Sequence, residues 1–201
     1  MTTNKYYAWA CDFQNNTGEG ILAREFLFFF LKKNKIRDVK IETPHACFKF
    51  KKNKFKKYKK KFFLKNSFYY KYITPFVGIY KTYLNSYFLG RKTVYINFLP
   101  IWNFILFLII PNKTIFGPIT GSDHYMNVNN FNNNVRRYFF PFFNLISKFI
   151  IKNKNNLIFS TNLVNYNYSN AIKNFQLIYF INRKVLKKKT KKKIDYLFYY
   201  R

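Results

Sequence analysis

Within the stretch CDFQNNTGEGILAREF, Cys11 to Phe26, Gly18, Gly20 and Ala23 have the spacing of a phosphate cradle, G-x-G-x-x-A, at the mouth of an apolar helix. Glycine permits a sharp turn and close approach of backbone N–H groups to a ligand, and the helix N-terminus adds unpaired donors and a partial positive charge. Glu42 lies 22 residues beyond Gly20, where a dinucleotide site would hold a ribose hydroxyl. Two features count against a nicotinamide cofactor, which stays as an alternative. The inserted QNNT lengthens the turn beyond what that motif needs, and no Tyr-x-x-x-Lys pair occurs in the chain. Asp12 adjoins the glycine segment as an internal acceptor. His45 ends the second predicted strand, at the carboxyl edge where open α/β sheets bind ligands.

The elements that position these residues alternate between short β-branched or aromatic runs and longer helical ones, the pattern of an α/β fold with a mostly parallel sheet. Strands are predicted over Lys5–Phe13, Asp38–His45, Lys92–Leu99, Lys113–Thr120 and Asn156–Val164. Helices are predicted over Ile21–Lys35, Tyr69–Gly90 with interruptions at Pro75 and Gly78, Ile101–Ile110, and Val135–Lys152. These alternating strands and helices amount to one doubly wound, Rossmann-like domain over residues 1–185. Nine lysines between Lys49 and Lys61 repel one another and predict an exposed loop or frayed helix. A basic linker over 186–193 is predicted to lead into a new strand at 194–201, the start of a second domain.

With 37 Lys and Arg against 7 Asp and Glu, the formal net charge is +30. That invites an anionic partner, although the abundant Lys, Asn, Ile, Phe and Tyr are also what a codon bias toward A and T favours. Without RNP aromatics, zinc-finger spacing or a basic heptad region, nucleic acid is not an expected partner. Cys11 and Cys47, lacking CxxC spacing, are expected to be buried, reduced thiols, and no metal is expected. Trp9 and Trp102 are expected in the core. No secretory signal is read at the N-terminus. The most apolar run, Phe98–Pro111, is shorter than the roughly 20 residues that cross a bilayer. A cytoplasmic location is expected from the reduced thiols, and the Lys49–Phe63 run, with aromatics among its lysines, makes peripheral contact with the inner face of the membrane an expectation.

WACDFQNNTGEGILAREF, VYINFLPIWNFILFLIIPNKTIFGPITGS and KKIDYLFYYR together resemble the N-terminal half of bacterial glycosyltransferases of the two-domain GT-B type (the group 1, family 4-like enzymes). The resemblance implies an acceptor-side domain facing a donor-binding domain that is missing after the last segment, or supplied by a separate chain. It implies a nucleotide-diphosphate sugar as co-substrate, no further cofactor, and a polysaccharide or lipid-linked acceptor. On that basis Gly18, Glu19 and Gly20 face the donor diphosphate, with Asn16 and Thr17 as further polar contacts. Gly121, Ser122, Asp123 and His124 match a later loop lining the cleft, Ser122 departing from the paired glycines of that loop. Asp123 and His124 are expected to reach acceptor or sugar hydroxyls, with His124 moving a proton. Residues 1–201 in isolation are expected to be weakly active or inactive. A non-catalytic basic module that binds a membrane surface is the alternative from another class.

Overall fold

The computed structural model describes residues 6–14, 17–36, 38–51, 54–60, 68–120, 131–154, 156–159 and 175–177. The strands are β1 (Tyr6–Ala10), β2 (Val39–Glu42), β3 (Ala46–Lys51), β4 (Lys54–Lys60), β5 (Lys92–Pro100), β6 (Ile115–Thr120), β7 (Leu157–Phe159) and β8 (Phe175–Leu177). The helices are α1 (Gly18–Lys33), α2 (Phe68–Tyr83), α3 (Phe104–Ile109) and α4 (Phe131–Lys152). The strands form one sheet in the order β4-β3-β2-β1-β5-β6-β7-β8, parallel from β2 to β8. The chain is α/β, with a mostly parallel sheet flanked by helices.

β1 is central and covered on both sides, which is why YYAWA reads as a continuous apolar run with no polar alternation. Ala8 and Ala10 face α1, where Ala23, Leu27, Phe30 and Leu31 pack with Val94, Ile96, Val39 and Ile41. The small alanines let α1 lie close to the strand. On the opposite face Tyr7, Trp9 and Tyr95 pack beneath Ile79 of α2, Leu106 and Phe107 of α3, and Ile151 of α4. Burying a large apolar side chain contributes about 1.5–3 kcal/mol, so these two clusters supply most of the folding free energy.

Local chemistry stops each helix where it stops. α1 ends on Lys32 and Lys33, which suit the negative helix terminus. Its last carbonyls are taken up by Lys35 N–H to Lys32 O at 3.1 Å and Ile36 N–H to Leu31 O at 2.9 Å, with Lys35 in the left-handed region at φ 51°. α2 runs through Pro75 and closes in a π-helical turn, Leu84–Phe88. There Arg91 donates to Asn85 Oδ1 at 2.7 Å, pinning the approach to β5. Beyond α4, Lys154 Nζ donates to Ile110 O at 2.5 Å and Asn112 Oδ1 at 2.6 Å, and burial pulls its pKa below 10.5.

The lysine-rich segment departs from the sequence expectation. Over the described residues it is neither a loop nor a frayed helix but a β-hairpin: β3 pairs antiparallel with β2 and with β4, with Phe50 opposite Phe55 and Lys51 opposite Lys54. Alternation explains the difference. Phe48, Phe50 and Phe55 point to the α1 side and pack their rings against one another and Phe13. Lys49 and Lys51, with Lys56 and Lys54 opposite them, point the other way, while Lys57, opposite Phe48, lies on the phenylalanine side at the sheet edge. The cost is a row of like charges, since Lys40, Lys49 and Lys56 are register partners across three strands. Charged residues along β4, the sheet edge, also discourage pairing with another chain.

Candidate functional site

The chain passes from β1 to β2 on one side, then returns through α2 to β5 on the other side of β1. Such a reversal, at the carboxyl ends of β1 and β5, is the place where open α/β sheets take ligands. Ala10 is level with Ile96, and β5 continues to Pro100, so Asn97 to Pro100 stand as a wall above the end of β1. Leu22 packs with Phe98, Ile115 and Ile158, which draws the first turn of α1 toward that wall.

The first turn is built by Thr17. Its hydroxyl accepts from Gly20 N–H at 3.1 Å, and its carbonyl accepts from Ile21 N–H at 3.0 Å. Thr17 is thus the helix cap as well as a polar group near the ligand edge, a role readable in sequence from a threonine at a helix start. The cap leaves the N–H groups of Gly18 and Glu19 outside the intrahelical ladder. Glu19 puts a carboxylate in the same turn. Arg24 Nη1 donates to Phe13 O at 2.5 Å, tying the β1–α1 loop to the helix; nothing in the spacing of the motif pointed to Arg24.

The glycines differ from the expectation. Gly18 and Gly20 lie inside α1 and not before it, and a Cβ on Gly18 would meet open space. Neither a sharp turn nor close packing demands glycine at 18, which is exposed at the start of the helix. The backbone that does demand glycine is Gly117, where φ is +141° and a Cβ would collide with the Ile158 carbonyl and stand 2.8 Å from Ile158 Cβ.

Asp12 follows β1 at the carboxyl edge and is half-buried. Cys11, beside it, accepts from Trp9 Nε1 at 3.3 Å; burial, the main cause, pushes its thiol up to about 12. Cys11 is half-buried and Cys47 fully buried, and both are free thiols. His45 lies at the carboxyl edge in a tight turn, where its N–H donates to Thr43 Oγ1 at 3.2 Å and Ala46 N–H donates to the same oxygen at 2.9 Å. Glu42 is buried and ion-paired with Lys40 Nζ at 2.5 Å, so its carboxylate is engaged before any ribose arrives. Trp9 is core, whereas Trp102 is half-buried and stacks on Phe140 at 4.8 Å.

Asn16, Gly121, Ser122, Asp123 and His124 lie outside the described residues, as do the linker at 186–193 and the segment 194–201. Thr120, the last residue of β6, pairs with Pro100 and brings the chain to this same edge immediately before Gly121. The carboxyl edge around the β1/β5 reversal therefore carries Asp12, Thr17 to Gly20 and the end of β5, with His45 in the turn after β2, the neighbouring strand.

No protein-family model, curated protein or solved structure matches this chain. Among the described residues there is no group of three or more His, Cys, Asp or Glu side chains able to hold a metal ion, and no helix long and apolar enough to cross a membrane.

Proposed function

We propose that this chain is the acceptor-side domain of a GT-B type glycosyltransferase, working at the inner face of the cytoplasmic membrane on a polysaccharide or lipid-linked acceptor. The observation that carries the reading is the capped N-terminus of α1, held at the carboxyl edge beside the β1/β5 reversal with open space over Gly18. The backbone N–H groups and partial positive charge of a helix N-terminus suit the diphosphate of a nucleotide sugar, and stabilise it as charge develops on the departing phosphate. The donor's remaining contacts belong to a second domain or a separate chain. Asp123 and His124, which follow Thr120 in the sequence, are the groups assigned to the acceptor hydroxyl and its proton.

Glu19 makes the reading testable, because its carboxylate shares a helix turn with the diphosphate site. Calorimetric titration of the full chain with UDP-glucose and GDP-mannose is expected to show weak binding that strengthens several-fold in Glu19→Gln, with the gain shrinking as salt rises. Binding of NAD in preference to either nucleotide sugar would favour the dinucleotide alternative. No binding of any of the three would overturn the phosphate-cradle reading.

A further inference from the structure

The outer faces of α2 and α4 carry a second apolar stripe each, in addition to the one that packs on the sheet. On α2 and its π-helical turn, Tyr72, Phe76, Tyr80, Tyr83 and Tyr87 recur at spacings of four, four, three and four. On α4, Tyr138, Phe142, Leu145 and Phe149 recur at four, three and four. These are the spacings of a helix face that something covers, yet the residues are exposed, Tyr80 at 62 % and Phe149 at 72 %. The inner faces are already spent: Gly78 and Ile79 of α2 and Ile151 of α4 are buried in the core on the same side of the sheet. Ile105 and Leu108 of α3 are exposed on that side as well.

The charges on this layer are of one sign. The acidic residues described are Asp12, Glu19, Glu25, Asp38 and Glu42, all on the β1–α1 side or on β2. Between Glu42 and Lys152 the sequence holds a single acid, Asp123, outside the described residues. Lys81 accompanies Tyr80, and Lys148 and Lys152 flank Phe149. Four of the five residues in the α2 stripe are tyrosines, whose rings are apolar and whose hydroxyls prefer water, a combination suited to the headgroup level of a bilayer.

We propose that the α2–α3–α4 face is the surface by which this protein lies on an anionic lipid bilayer, with the aromatic stripes in the headgroup region and the flanking lysines on lipid phosphates. The proposal rests on the reading above for its membrane setting and adds the surface that meets the lipid. Charge complementarity selects this occupant. Two copies of a chain with a net charge of +30 repel one another across a shared face, whereas an anionic leaflet attracts each lysine near it by about 1 kcal/mol. Interfacial binding also needs no spanning helix.

The test is sedimentation of the full chain with vesicles of phosphatidylcholine alone and of phosphatidylcholine mixed equally with phosphatidylglycerol. Binding is expected only to the mixed vesicles. A Tyr80→Ser, Phe142→Ser double variant is expected to lose at least tenfold, and its circular dichroism checks that the fold persists. Trp102, stacked on Phe140 of α4, is expected to shift its emission to the blue on binding. If the double variant does not fold, Lys148→Glu with Lys152→Glu is expected to give the same loss. Failure of the parent chain to bind mixed vesicles overturns the proposal. So does undiminished binding by the aromatic variant together with loss in Lys49→Glu, Lys56→Glu, which would put the contact on the hairpin. A dimer in sedimentation velocity that the aromatic variant dissolves, without vesicle binding, assigns the face to a second copy and also overturns it. Nucleotide-sugar titration on the same samples separates this outcome from the fate of the glycosyltransferase reading.

Discussion

Gly78 on α2 rests against the indole of Trp9 on β1, so close that a Cβ at position 78 would stand 2.5 Å from Cδ1 and 2.6 Å from Cε2. Trp9 is 2 % exposed and held between strands and helix, so the ring has nowhere to retreat. Gly78→Ala is expected to destabilise the protein by about 1–3 kcal/mol through overpacking. A lower urea midpoint with an unchanged slope checks it; an unchanged midpoint would mean that α2 is free to shift off the sheet.

Gly18 and Gly117 should respond in opposite directions to the same substitution. Gly18→Ala adds a methyl group in open space within a helix and is expected to leave stability unchanged or raise it by up to about 1 kcal/mol. Gly117→Ala meets both an unfavourable φ and the backbone of Ile158, and is expected to be the more damaging of the two by at least about 1 kcal/mol. Thermal unfolding of the two variants side by side decides the order.

The lysine row across β2, β3 and β4 sets a charge prediction. Lys56→Glu places an opposite charge in register with Lys49, and is expected to stabilise the hairpin by about 0.2–1 kcal/mol at low ionic strength. The gain should fade as salt is raised toward 1 M, where screening shortens to a few ångströms. A gain that ignores salt would show that the charge is not its source.

Alkaline stability follows from buried acids. Cys11 is raised from 9.0 to about 12, chiefly by burial, and burial also raises the Tyr7 and Tyr95 hydroxyls well above 10.0. The unfolded chain loses these protons first, so stability is full below pH 9, falls as pH rises, and keeps falling until the folded thiol ionises near 12. Lys154 acts in the reverse sense, since its lowered pKa adds stability as pH approaches 10.5. Burial also raises Tyr58 to about 12, so four groups against one give a net decline, and Cys11→Ala is expected to flatten its first part, between pH 9 and 10, in denaturant titrations at stepped pH.

Much of the architecture was legible because apolar runs of strand length and helix length announce themselves. YYAWA, KTVYINFLP and the helix after Gly20 fell close to their predicted bounds for that reason. The hairpin was not legible as a strand pair, because nine lysines suggest repulsion and solvent, while the alternation that puts Phe48 and Phe50 on one face matters only once Phe13 and α1 are there to receive them. Thr17 could have been read as a cap, yet the paired glycines drew attention to the ligand and away from the helix. The sequence marks Gly78 only as a break in a helix that in fact runs through it, and does not mark Gly117, because the need for glycine at each comes from a neighbour more than 35 residues away.

By itself the sequence determined the class of fold, the central apolar strands, the excess of positive charge and the presence of a glycine-bearing helix start, all properties of local composition and periodicity. Only the tertiary structure decided that the basic segment is an edge hairpin, that packing requires glycine at 78 and 117, and that the aromatic stripes of α2 and α4 stand exposed on one side of the sheet. Those facts depend on which side of the sheet each element crosses to, and the side is chosen by contacts between residues far apart in the chain.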